Sequence, residues 1–361
     1  MEYRKLGNSG LIVSALALGT MQFGKGMNMG GLDLEETTAM IKFALEHGIN
    51  FIDTADVYSG GESETLIGQA LENLGNRDEI VLATKFRLPM SNNFNRSGAS
   101  RVNILRGVES SLKRLKTDHI DLYQVHGWDS YTPIEETLST LNDLVRQGMV
   151  RYIGLSNYLG WQAATALGVQ KLRNLEPFVT AQMYYSLVGR ELEYDFQSFC
   201  EYNNIGVLVW SALAGGYLSG KYPKPGKADK GTRFAEAGQF VPFDWKKGEP
   251  VLKALKIVAE RHGVSMARVA YAWTVSRPAV ASVIIAARKL ENLEDNIKAI
   301  DLKLSQEDFA LLDQASDPGT PYPKWMVLQL DQAEDPRAKL LEPKRWAEGS
   351  GPWEDLRFRK K

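Results

Sequence analysis

The chain has 361 residues, 44% of them hydrophobic and 24% charged. At about 150 residues per domain this spans two domains or one large barrel, and it excludes a disordered or collagen-like chain. The 43 basic and 44 acidic side chains sum to −1, which excludes the positive field that draws a protein to nucleic acid or to an anionic membrane. One cysteine, four scattered histidines and no long apolar run exclude a disulfide framework and a membrane span and make a poor zinc site. Residues 1–10 carry no signal-peptide core, so a cytoplasmic protein without nucleic-acid or membrane partners is expected, as a monomer or homo-oligomer.

In chain order, Glu2 to Val13 reads as a hairpin turning at Asn8-Ser9-Gly10, and Ala15 to Leu18 as a first buried strand. Asp33 and Glu36 form a capping box, Met40, Ile41, Phe43 and Ala44 follow at helical spacing, and Gly48 stops the helix before the strand Phe51-Ile52. Ile80 to Thr84 and Ile120 to Val125 repeat the strand. Thr132 predicts a cap, Pro133 the first helical position and Glu135 the completed box. Ile134, Leu138, Leu141, Leu144 and Val145 line that helix, and Gly148 ends it before the strand Val150 to Leu155.

Further strands follow at Phe178 to Met183, Val207 to Trp210 and Ser282 to Ile285. Leu213 to Pro250, rich in Gly, Lys and Pro, is too long for an ordinary loop and is expected to cover a ligand. A helix begins at Ser305. Asp317 to Lys361 is expected to be an irregular but packed tail, because Trp325, Trp346 and Trp353 are costly to leave in water.

Strands alternating with helices imply parallel pairing, and eight such units over about 300 residues predict a single-domain (β/α)₈ TIM barrel across residues 15–300. The hairpin would plug its bottom, and residues 317–361 would extend its C-terminus. A doubly wound open sheet is the competing arrangement. The barrel is preferred because polar residues follow nearly every strand, whereas an open sheet gathers its site at one switch point.

Those residues are Asp53, Lys85, His126, Ser156, Asn157, Gln182, Trp210, Ser211 and Arg288, with Tyr58 in the loop after Asp53. Each has a plain structural reading: Asp53 caps a helix, Lys85 ends a solvated strand, His126 is a core histidine and Tyr58 packs. Jointly they describe a proton-donating site. A phenol titrates near pH 10, a buried ammonium beside it favours the phenolate, and a carboxylate offsets the burial of that ammonium. Such a site lacks an electron source, which a bound hydride-carrying cofactor would supply. Ser156, Asn157 and Gln182 suit a carboxamide, Trp210 a flat ring, and the run from Gly215 to Lys221 a phosphate.

The runs from Gly48 to Tyr58, Ala83 to Lys85, Asp121 to His126 and Gly154 to Asn157 resemble the aldo-keto reductase family, over roughly residues 1 to 316. The resemblance implies a barrel that reduces an aldehyde or ketone reversibly with NADPH, NADH being possible. It implies Asp53, Tyr58, Lys85 and His126 as the catalytic four, with Tyr58 as general acid. It also implies cofactor contacts from Thr20, Met21, Asp53, Ser156, Asn157, Gln182, Trp210, Ser211, Leu213, Gly215, Lys221, Arg288, Asn292 and Asn296, and a substrate contact from Trp128.

Two positions depart from the pattern of many relatives: Ala286-Ala287-Arg288 stands where Gly-x-Arg is common, and Asn292 where Gln or Arg is. Arg288 and Lys289 would still hold a 2′-phosphate, which favours NADPH. Two other readings are weighed: a cofactor-sensing subunit resembling potassium-channel β subunits, and a metal-dependent barrel hydrolase, for which only His126 qualifies as a histidine ligand at the strand ends.

Overall fold

The structure, a computed structural model, describes residues 1–25, 31–222, 234–235 and 238–332. The strands β3 (Leu16–Gly19), β4 (Phe51–Asp53), β5 (Val81–Phe86), β6 (Ile120–Val125), β7 (Val150–Ser156), β8 (Phe178–Tyr184), β9 (Gly206–Trp210) and β10 (Val280–Ile285) pair in parallel. They close in chain order, β10 returning to β3. The eight expected strands are therefore all present, and the open sheet is set aside. Closure buries each strand on both faces, which is why they read as short apolar runs.

Beneath the barrel, β1 (Tyr3–Lys5) and β2 (Ile12–Ser14) form the expected antiparallel hairpin. Leu6 and Val13 enter an inner apolar cluster with Phe51, Val81, Ala83, Leu122 and Leu208, which fills the lower lumen. Gly7 makes this seating possible: its φ is +57°, and a Cβ there would lie 2.1 Å from the Val179 carbonyl oxygen.

Among the described residues the barrel is wrapped by α1 (Leu34–Glu46), α2 (Glu62–Leu74), α3 (Arg101–Leu115), α4 (Ile134–Arg146), α5 (Gly160–Leu172), α6 (Phe196–Asn203), α7 (Trp245–His262), α8 (Met266–Val275), α9 (Leu290–Ile297) and α10 (Gln306–Ala315), with α11 (Lys324–Gln332) beyond. The Asp33–Glu36 capping box of α1 is present. So is a Ser305 cap on α10.

Four expectations change. Thr132 does not cap α4, because its hydroxyl donates to Asp129 Oδ2 at 2.7 Å; Pro133 takes the cap position instead, with no side-chain bond and so no box for Glu135. The stretch from Leu213 to Pro250 is not all loop, since Asp244 Oδ1 accepts the Lys246 N–H at 2.9 Å and starts α7 ahead of Pro250. The tail contains the helix α11 rather than irregular chain only. Trp325, Met326 and Leu330 on α11 remain exposed, so its described part is not closely packed; Trp346 and Trp353 lie outside the described residues. No helix among the described residues is long and apolar enough to cross a membrane.

Side chains alternate across a strand, so one phase sets the whole lumen. Phe51, Val81, Ala83, Leu122 and Leu208 fill its lower half. Two residues further along the same face stand Asp53, Lys85, Gln124 and Trp210, and one more step from Gln124 reaches His126. Apolar bottom and polar top are one pattern, the polar part reaching one step lower at Asp53, which pairs with Ala83, than at Lys85 and Gln124, which pair with each other.

Candidate active site

Lys85 is wholly buried, and its ammonium donates to Asp53 Oδ2 at 2.6 Å, to the Thr54 carbonyl oxygen at 2.7 Å and to the Tyr58 hydroxyl at 3.4 Å. Burial alone would push this amine down, but the Asp53 carboxylate and the Tyr58 phenol hold it above its ordinary value. The second oxygen of Asp53 accepts from Gln182 Nε2 at 2.7 Å and Gln124 Nε2 at 3.1 Å. With three donors around it the carboxylate is fixed in place, and it offsets a charge that would be prohibitive to bury alone.

The turn after β4 carries Tyr58 back over the lumen, held by its N–H on the Ala55 carbonyl oxygen at 3.1 Å. Its ring stands edge-on to that of His126, with centroids 6.0 Å apart. Burial, then the Lys85 and Arg87 cations, lower the His126 imidazole to about 3. It is therefore neutral at physiological pH, a hydrogen-bond donor through one nitrogen only. Asp53, Tyr58, Lys85 and His126 thus meet in one mouth.

The remaining expected residues fall into two groups. Around the lumen, the Thr20 hydroxyl donates to the Asp53 carbonyl oxygen at 3.0 Å, and Met21 follows it in the chain. The Ser156 hydroxyl donates to the Gln182 carbonyl oxygen at 2.8 Å. Asn157 Nδ2 donates to the His126 carbonyl oxygen at 3.1 Å, and its Oδ1 accepts from Trp210 Nε1 at 3.1 Å. The Gln182 amide nitrogen donates to Asp53 Oδ1 at 2.7 Å, so this side chain is tied to the carboxylate that holds Lys85. Trp210 packs one flank on Tyr184, with centroids 5.3 Å apart.

Beyond Trp210 the chain turns through positive φ at Ser211, Ala214, Gly215 and Gly216. Ser211 Oγ accepts the Gly215 N–H at 3.1 Å, and the Leu213 carbonyl oxygen accepts from Gly216 at 2.9 Å. A Cβ on Gly216 would lie 2.8 Å from Lys221 Nζ, so the ammonium rests directly on bare backbone. The Gly215 and Gly216 N–H groups are bonded within the turn, so the Lys221 ammonium lying on this glycine backbone is what suits a phosphate, and a flat ring beside it fits a dinucleotide. Arg288 lies three residues past β10; Asn292 and Asn296 lie on α9, where Asn296 Nδ2 donates to the Ala286 carbonyl oxygen at 3.4 Å.

Trp128, after His126, meets Tyr158 edge-on at 5.2 Å and Trp161 at 5.7 Å between centroids. Trp161 was not singled out from the sequence, because its place at the start of α5 looks like ordinary helix. Gln124 was also missed, although a polar residue in the lumen phase of the run Ile120 to Val125 was a legible signal.

A buried polar layer behind the mouth had no such signal. Glu64 of α2 accepts from Thr84 Oγ1 at 2.5 Å and pairs with Arg114 of α3 at 2.6 Å. Asp56 and Tyr123 lie beside it, and Asp56 Oδ1 and the Tyr123 hydroxyl are buried without partners. Burial and then the Glu64 carboxylate push the Asp56 carboxyl up to about 8. The folded protein therefore keeps a proton that the unfolded chain releases near pH 4, so stability from this group declines as pH rises from about 4 to about 8. Asp56→Asn should remove that decline: urea denaturation is expected to show a gain of a few kcal/mol over the parent at pH 8 and little difference near pH 4.

Comparison with known proteins gives a consistent result. The profile of the "Aldo/keto reductase family" matches residues 15–317. An uncharacterised oxidoreductase, YrpG, of Bacillus subtilis is 38% identical over 86% of this chain and 95% of its own length. A probable voltage-gated potassium channel subunit beta of Arabidopsis thaliana is 36% identical over 84% of this chain and 92% of its own. Versiconal hemiacetal acetate reductase of Aspergillus parasiticus is 32% identical over 90% of this chain and 99% of its own.

Proposed function

The chain belongs to the aldo/keto reductase family, whose chemistry is carbonyl reduction with a nicotinamide cofactor, and from that premise we propose that it reduces an aldehyde or ketone to an alcohol, reversibly, using NADPH, with Tyr58 as proton donor. The observation that carries this reading is the buried Lys85 ammonium bonded at once to Asp53 and to the Tyr58 hydroxyl. A cation at that place stabilises the phenolate left after proton donation. His126, neutral, donates to the substrate's carbonyl oxygen and fixes its approach between itself and Tyr58.

A reduced nicotinamide, when bound, would supply the hydride. Asn157 and Ser156 would hold its carboxamide, Trp210 would offer a ring face, and the stretch from Ser211 to Gly216 with Lys221 would take the pyrophosphate. Arg288 and Lys289 take the 2′-phosphate. Trp128 with Trp161 forms an aromatic wall for the substrate, which supports a ring-bearing carbonyl.

The test is a panel of aldehydes, ketones and alcohols assayed with both dinucleotides. Carbonyl-dependent oxidation of NADPH is expected, with KM for NADPH about 10- to 100-fold below that for NADH, as a charge-assisted hydrogen bond of about 1.5–3 kcal/mol gives. No turnover on any carbonyl would overturn the reading. The potassium-channel likeness favours a second one, a partner-binding subunit with slow turnover; steady-state rates beside a pull-down distinguish the two.

A further inference from the structure

His126 donates usefully to a carbonyl only from one tautomer, and the structure points to what selects it. The β5–β6 register pairs Phe86 with Val125, so the next residues, Arg87 and His126, leave the strands side by side. The His126 N–H donates to the Phe86 carbonyl oxygen at 2.9 Å, continuing the ladder to that point. Two buried polar atoms at this junction have no hydrogen-bond partner: Arg87 Nε, which can only donate, and His126 Nδ1, which can accept. His126 as a residue is partly exposed while Nδ1 is closed off, so the open part of the ring lies elsewhere.

Arg87 is itself held in an unusual way. Its φ is +115°, a region that a bulky side chain rarely adopts and that persists only where the surroundings impose it. Its Nη2 donates to the Trp128 carbonyl oxygen at 2.8 Å, and its own carbonyl oxygen accepts the Gly98 N–H at 2.8 Å. Asp129 ties the same loops, accepting from Ala99 N–H at 2.7 Å and from Thr132 Oγ1 at 2.7 Å. Arg87 is thus held by both flanking loops, its backbone through Gly98 and its guanidinium through Trp128, at the junction where His126 leaves β6.

We propose that Arg87 is a positioning residue for His126: its guanidinium keeps the lone pair, not a proton, on Nδ1, and so leaves the proton on Nε2 for the substrate's carbonyl oxygen. A fixed cation repels an N–H pointed at it and attracts a lone pair, as the third group of a catalytic triad selects a histidine tautomer with the opposite charge. This rests on the reductase reading for the use of Nε2, but the tautomer is observable without substrate. The charged and titratable groups facing the imidazole are Tyr58 after β4 and Lys85 and Arg87 of β5 and its end; Asp129 of its own loop interacts with Arg87 and Tyr158 instead.

The experiment is ¹⁵N NMR of the histidine rings in the full chain, free of substrate, for the parent, Arg87→Gln and Arg87→Gly. The glycine variant matters because it accepts the positive φ and so keeps the loop if glutamine does not fold. In the parent, His126 is expected as the Nε2–H tautomer, titrating well below the ordinary histidine value. In both variants the Nδ1–H form is expected to appear and the midpoint to rise. The acid limb of kcat/KM should move up with it, and kcat/KM should fall by roughly 10²-fold, as for loss of one transition-state donor, with the dinucleotide Kd unchanged. A folded Arg87→Gly protein that keeps the parent tautomer and midpoint overturns the proposal. Absence of carbonyl turnover in the parent would instead strike the reductase reading and leave the tautomer result standing.

Discussion

Tyr58→Phe should lower kcat by about 10²- to 10⁴-fold, the usual contribution of a positioned general acid, while the dinucleotide Kd stays within about twofold of the parent, since Tyr58 makes no contact with the proposed pyrophosphate cradle. The substitution removes one oxygen from a ring whose position is set independently by its turn and by the His126 edge. It also leaves Lys85 with Asp53 and the Thr54 carbonyl oxygen as partners, so the fold should tolerate it. Single-turnover kinetics and fluorescence titration with NADPH check both halves. A variant that turns over an aromatic aldehyde at the parent rate would remove Tyr58 from the chemistry.

Lys85→Met should have the largest effect on stability of any single change at the mouth. It leaves Asp53 buried beside two glutamine amides without its cation, and stripping one partner from a buried ion pair costs about 3–5 kcal/mol. The double change Asp53→Leu with Lys85→Met should be less destabilising than Lys85→Met alone, because no uncompensated charge remains. The pH dependence has a definite sign. The Lys85 amine is raised in the fold, so its contribution is complete below about pH 10.4, the unfolded value, and is lost as pH rises through the higher folded value. Chemical denaturation from pH 7 to 11 should show that alkaline loss in the parent and not in Lys85→Met; equal slopes would mean that the pair does not couple to folding. Lys85→Met and the double variant should also lose turnover, because the phenolate of Tyr58 loses its cation.

Much of this arrangement is local and therefore legible in sequence. The apolar runs, the Asp33–Glu36 box and Gly48 depend on residues within a turn of one another, and they yielded the eight strands with ends displaced by at most two residues. The polar residues at the strand tops were legible because strand phase is a property of the chain itself. Where the cap signal failed, an acceptor just upstream of the helix had taken its donor. Thr132 reads as a cap, yet its hydroxyl serves Asp129. The bond from the Gln182 amide nitrogen to Asp53, 129 residues away in sequence, is a contact that no local pattern shows.

Sequence by itself determined that alternate residues of each strand would be apolar low in the lumen and polar above, because the period of two is built into the extended backbone. Closure of the barrel decided the rest. Only when β10 returns to β3 do Asp53, Lys85, Gln124 and Gln182 share one interior, and only the β5–β6 register brings Arg87 beside His126. Charge burial, tautomer and the proton kept on Asp56 are set by groups distant in sequence, through a low-dielectric interior that exists only after folding.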